Sequence, residues 1–157
     1  MKIYLKSKNS ISFLSLIFSL LLLLALQNKG YSQQCVTCDS TTTTGLFSSA
    51  IGFNNSATGD YSFIAGENSE ANGRSSFSLG QRINVYDNYA LGIGRFLEVY
   101  GSSSLAFGRF LKTLSPDAMV IGYGFSSTET LNNDIHRSLM IGFESTKPTL
   151  FIGQPLA

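Results

Sequence analysis

Three sets of side chains in this sequence have the types and spacing to do chemistry. Cys35 and Cys38 form a Cys-x-x-Cys pair. Two thiols at this spacing hold a metal only with further ligands, and the chain offers no other cysteine and a single histidine, His136, far downstream. A dithiol redox centre would need a βαβ frame, of which the sequence shows no sign. The pair therefore reads as a disulfide, local or between subunits. Glu129, Asp134 and His136 form a second set, but one imidazole with two loosely spaced carboxylates is what a solvated polar loop ordinarily carries. No metal, cofactor or catalytic centre is assigned there. The third set is Arg95-Phe96 and Arg109-Phe110, fourteen residues apart, with Gln81-Arg82 one interval earlier. Guanidinium groups beside aromatic rings are favoured at recognition surfaces. Arg82, Arg95, Phe96, Arg109 and Phe110 are thus candidate ligand-binding residues for an acidic glycan or a protein. Alternatively, the arginine stems cover apolar surface between subunits.

The interval that relates those arginines runs through most of the chain. Gly52, Gly66, Gly80, Gly94, Gly108 and Gly122 stand fourteen residues apart, and so short a fixed period means that each unit is one coil of a solenoid, stabilised by stacking on its neighbours. Before each glycine, small residues (Ser48 and Ala50, Ser62, Ser76 and Ser78, Ser104 and Ala106) alternate with large apolar ones (Phe63, Phe77 and Leu79, Leu91 and Ile93, Leu105 and Phe107). Alternation with a period of two predicts a strand. A second strand is marked by Ala57, Ala71, Val85 and Val99. Gly59, Gly73 and Gly101 recur halfway round, so that two turns separate two strands, with glycine at each turn expected to supply positive φ. So thin a coil is expected to admit only Ser, Ala and Gly between its walls. The large apolar set must then face outward, and a homo-oligomer packing these stripes together is the simplest way to shelter them.

The ends and the interruptions define the organisation. Lys2, Lys6 and Lys8 precede an apolar run from Ile11 to Leu26, which reads as a secretory signal cleaved after Ser32; the run is short for a full membrane span, and an uncleaved anchor is the alternative. Residues 1–32 hold four of the eleven basic residues and none of the ten acidic ones, so the remainder carries a net charge of −3. That balance gives no footprint for nucleic acid or an anionic membrane. Residues 33–45 form a cysteine-containing lead-in and 46–157 the repeat region. The interval from Gly122 to Gly142 is twenty, which predicts an insertion over 126–137. Pro148 and Pro155 bracket a short apolar segment, so 148–157 reads as a terminal cap that blunts a strand edge.

The segments Ser48-Ser49-Ala50-Ile51-Gly52, Ser62-Phe63-Ile64-Ala65-Gly66 and Ser104-Leu105-Ala106-Phe107-Gly108, with Ser56-Ala57-Thr58-Gly59 and Glu70-Ala71-Asn72-Gly73 behind them, resemble the Ser-x-Ala-x-Gly repeats of YadA-like trimeric autotransporter adhesin heads. The resemblance covers Gly45 to Gly153 and implies an all-β fold, a left-handed parallel β-roll of 14-residue coils, assembled as a homotrimer. Such heads continue into a coiled-coil stalk and a membrane barrel. No heptads or barrel strands follow Gly153 here, and attachment to an outer membrane in cis is not expected. The function implied is a secreted or cell-surface adhesin without enzymatic activity, binding a glycan or a host or matrix protein by multivalent display. A structural spacer without its own ligand is the alternative. A β-solenoid enzyme is more remote, because neither long lyase coils nor hexapeptide rhythm matches fourteen.

Overall fold

A computed structural model describes residues 38–153, together with 17–18. Met1–Gly30 and Tyr31–Ala157 form separate compact units. Of the first, only Ile17 and Phe18 are described, both helical. The cleavage site and Cys35 lie outside the described residues, as does the Cys38 side chain, so the expected disulfide does too. Among the described residues no helix is long and apolar enough to cross a membrane.

The second unit is an all-β parallel solenoid. Its first wall stacks β1 (Cys38–Asp39), β3 (Ser49–Phe53), β5 (Phe63–Glu67), the first parts of β7 (Phe77–Val85), β8 (Leu91–Val99) and β9 (Leu105–Thr113), β10 (Met119–Tyr123) and β12 (Leu139–Phe143). The second wall stacks β2 (Thr42–Thr43), β4 (Ser56–Ala57), β6 (Glu70–Ala71), the later parts of β7, β8 and β9, and β11 (Leu131–Asn133). Register follows the glycines: Gly52 pairs Gly66, Gly66 pairs Gly80, and so on to Gly142, while Cys38 occupies the glycine position of the first rung. At Gly66 the requirement is doubly strict, since φ is +150° and a Cβ would lie 1.7 Å from the Gly80 carbonyl oxygen.

The other turn works differently from the expectation. Gly59, Gly73 and Gly101 do not take positive φ; the left-handed residues are Tyr61, Ser75 and Ser103, two places further on, with φ between 54° and 57°. Glycine is needed instead because the backbones nearly touch: a Cβ on Gly59 would lie 2.0 Å from the Gly73 carbonyl oxygen. A left-handed conformation costs a non-glycine residue roughly 1–2 kcal/mol. Here it aims the N–H along the stack, where Tyr61 donates to the Leu46 carbonyl at 2.7 Å and Ser75 to that of Asp60 at 2.7 Å.

The outward and inward faces fall as the alternation predicts. The columns containing Ser48 and Ala50 are buried, while Ile51, Leu79, Phe107 and Met119 are 41–52% exposed. The interior is nevertheless roomier than Ser, Ala and Gly alone would fill. Ile64, Ile83, Leu97, Leu111, Val120 and Leu131 are all at 0–1% exposure. Most come from a column the alternation did not pick out, three residues after the glycine, running Asn55, Ser69, Ile83, Leu97, Leu111, Leu131. The physical reason is complementarity across the rung. Ile64 faces a rung whose other wall supplies Ser69, whereas Ile83, Leu97 and Leu111 share rungs with Ser78, Gly92 and Ala106, so from rung to rung one wall supplies the bulk and the other yields.

The insertion is placed differently from the expectation. β11 pairs β9 with Leu131 opposite Leu111, so the six extra residues are 125–130 and not 126–137. Asp134, His136 and Arg137 belong to an ordinary turn. At the end of the stack β13 (Leu150–Ile152) turns back antiparallel on β12 and covers its edge, while residues 154–157 of the expected cap, with Pro155, lie outside the described residues.

The Ser78 hydroxyl is buried without a hydrogen-bond partner, and an orphaned polar group in an apolar column costs roughly 1–3 kcal/mol. Ser78→Ala should therefore stabilise the protein by about 1 kcal/mol in urea unfolding. Gly92→Ala should destabilise it by about 1–3 kcal/mol, because the new methyl would meet Ile83 Cγ2 at 2.6 Å.

Candidate functional site

The corner after each glycine carries the sequence-predicted residues, and the fold brings all five together. Arg95 and Arg109 are register partners on β8 and β9. Phe96 and Phe110, both left-handed, stack with ring centroids 5.1 Å apart. The Arg82 and Arg95 Cζ atoms lie 5.1 and 4.8 Å from the Phe96 centroid, and Arg109 Cζ lies 5.0 Å from Phe110 and 5.6 Å from Tyr123. Each contact of this kind contributes roughly 0.5–1 kcal/mol at an exposed site. The rings thus hold the guanidinium groups in place while leaving their N–H donors free to turn outward.

Beside this strip, on the outer face of the second wall, lies a cleft of about 160 Å³ whose polar and aromatic lining is Arg82, Asn84, Phe96, Glu98, Lys112, Ser127 and Thr130. Ser127 and Thr130 come from the inserted loop. That loop is pinned by its own hydrogen bonds: Ser126 Oγ accepts from the Thr128 and Glu129 N–H groups at 3.3 and 3.0 Å, and Phe125 N–H donates to the Glu129 carbonyl at 3.0 Å. The loop leaves the stack at Gly124, the position held by Phe96 and Phe110 on earlier rungs, so it closes one end of the aromatic stack. Towards the other end, the same pair of columns bounds a second cleft, of about 220 Å³, lined by hydroxyls and amides including Thr42, Asn54, Ser56 and Asn68. By register the two are successive stretches of one groove parallel to the stack.

Electrostatically the stretches differ. Around the first rungs the polar side chains satisfy one another: Asn54 donates to Asn68 at 2.7 Å, Asn68 to Glu67 at 2.9 Å and Gln81 to Glu67 at 2.8 Å. Glu98 is likewise engaged, by Lys112 at 2.6 Å and by the Tyr100 hydroxyl at 3.1 Å. Among the described residues, Arg82, Arg95 and Arg109 have no carboxylate partner. Cations on neighbouring rungs repel, and parallel strands place such residues only about 4.8 Å apart.

The remaining candidates are scattered. Glu129 sits in the inserted loop at this corner, whereas His136 sits at the opposite turn, its Nδ1 2.8 Å from the Pro116 carbonyl oxygen and its Nε2 3.9 Å from Asp117. Sequence reasoning missed Asn84, Lys112, Ser127 and Thr130. Asn84, Glu98 and Lys112 recur every fourteen residues, and that period was the available signal. The two loop residues had none, since their place depends on where the insertion leaves the stack.

The Tyr100 phenol, stacked on Tyr86 at 4.6 Å, is pushed up from 10.0 to about 12, first by burial, then by the hydrogen bond to Glu98 and the charge of that carboxylate. The unfolded chain releases this proton near pH 10, so the native state binds more protons between pH 10 and 12 and loses stability as pH rises through that window. Urea unfolding across it should show the decline, and Tyr100→Phe should flatten it.

No protein-family model matches this chain, and no curated protein or solved structure matches it.

Proposed function

We propose that this protein is a non-enzymatic binding rod, presented outside the cell, that assembles as a homotrimer through the outer face of its first wall and binds ligand through the groove and arginine strip. The observation that carries the reading is the composition of that face. From Phe63 to Ile141 the two outward columns of the first wall hold only apolar residues, among them Phe77, Leu79, Leu105 and Phe107, across every rung. A surface so uniformly apolar and free of charge is the composition of an interface, and identical copies supply a matching stripe. Three copies, in preference to two, is supported by the resemblance to trimeric adhesin heads. Delivery outside the cell is supported by the basic start and leucine-rich run of residues 1–32.

A binding role is favoured over that of a bare spacer by the unpaired guanidinium groups, which a spacer would have reason to neutralise. Three chains would present three grooves on one rigid body, so weak contacts would add through effective concentration. Analytical ultracentrifugation of the purified protein should give the mass of three chains. Leu79→Glu with Phe107→Glu should yield monomers that keep the β circular dichroism spectrum, because both side chains point away from the interior. A wild-type protein that stays monomeric at micromolar concentration would overturn the assembly.

A further inference from the structure

We infer that the groove binds a linear polysaccharide carrying a carboxylate on successive sugars, laid parallel to the stack across the rungs of Arg82, Arg95 and Arg109. The inference rests on the binding-rod reading and names its ligand class. Three observations lead to it. The first is the contrast between columns. Glu98 and Lys112 neutralise each other across one rung interval, and Gln81 satisfies Glu67 across another, yet Arg95 and Arg109, which continue the Glu67–Gln81 column, and Arg82 beside them form no ion pair among the described residues. Their charge is left for a ligand.

The second is geometry. Arg95 and Arg109 are register partners one strand spacing apart, about 4.8 Å, close to the rise of one sugar in an extended, 1,4-linked chain, and Arg82 supplies the cation of the preceding rung from the neighbouring column, over the Phe96 ring. A polymer with one carboxylate per sugar can therefore meet one guanidinium per rung, and a fork-shaped donor suits a carboxylate better than a point charge would. The third is the lining. Phe96 offers a flat face to the C–H side of a sugar ring, and Phe110, stacked on it, continues that surface beside the cleft, while Asn84, Ser127 and Thr130 offer donors and acceptors for hydroxyl groups. Compact anions would use the charges and leave the rings and amides idle. On the other side, Glu67 and Glu70 lie beside the hydroxyl-lined stretch and would repel further carboxylates, which confines the acidic segment to the arginine rungs.

Isothermal titration calorimetry of the purified protein with oligogalacturonates of increasing length tests this. Affinity should rise with each added sugar until the oligomer spans the three arginine rungs, then level off. Methyl-esterified oligomers of the same length should bind about tenfold more weakly or worse, since esterification removes the charge-assisted hydrogen bonds. Arg95→Gln and Arg109→Gln should each weaken binding about tenfold with ultracentrifugation mass and circular dichroism unchanged, and Arg95→Lys should fall between. No binding, equal binding of esterified and acidic oligomers, or equally tight binding of single-stranded DNA would overturn the inference. If Arg95→Gln dissociates the assembly, the guanidinium groups lie between subunits; the ligand assignment then fails while the assembly stands. Length-dependent uronate binding by a monomeric wild type would uphold the ligand and remove the trimer.

Discussion

Everything in this fold follows from the closeness of its backbones. Successive rungs approach so nearly that a single Cβ would collide with a carbonyl oxygen. At one turn this holds along the whole run from Gly52 to Gly122, as at Gly66 against Gly80; at the other it holds where glycine stands, as at Gly59 against Gly73, whereas Asp87 and Ser115 take that place in two coils. That approach locks the register at fourteen residues, because a slip of one would place a side chain where none fits. It also keeps the two walls near each other. Their shared interior is narrow, and the sequence responds by trading volume between Ile64 and Ser69, then between Ser78 and Ile83, then between Gly92 and Leu97; only at Val120 and Leu131 do both walls of one rung supply bulk. The other large columns of the first wall face outward.

The same register turns a linear sequence into columns, and columns are what make surface chemistry here. A residue type repeated every fourteen positions becomes a ladder, so stacking energy and charge repulsion both accumulate along it. Aromatic residues exploit the first effect in the Phe63–Phe77, Tyr86–Tyr100 and Phe96–Phe110 pairs. Acidic and basic residues avoid the second by alternating, as Glu98 and Lys112 do. The arginine strip is the exception, and its cost is partly offset by the rings beneath it. The inserted loop matters because it breaks the column at Gly124 and encloses what would otherwise be an open furrow.

Much of this is legible in the order of the residues alone. The glycine period gives the coil, the alternation of Ser48 and Ala50 with Ile51 gives the faces, and the repeated Arg-Phe pairs give the strip, because each depends on residues related by a fixed interval. The Asn55 column was not legible. It changes from polar to aliphatic between Ser69 and Ile83, and no periodic rule distinguishes a buried Asn from an exposed one. Asn55 is buried because its amide donates to the Ile51 and Gly66 carbonyls and accepts from the Ser69 N–H, a satisfaction visible only once the corner is built. The placement of the insertion at 125–130 was equally hidden, since an interval of twenty says how many residues are extra but not where pairing resumes.

The changeover in that column leaves the buried apolar residues in two separate groups, Ala50, Ala57, Ile64 and Ala71 on one side and those from Ile83 onward on the other, with Ser69, Ser76 and Ser78 between. Backbone pairing runs on across this belt and Phe63 stacks on Phe77 outside it, but buried apolar contact does not. A rod built this way is joined differently at one step: between β5 and β7 its rungs are tied by backbone pairing and a surface ring stack, without the continuous hydrocarbon seam that runs through the arginine-bearing segment.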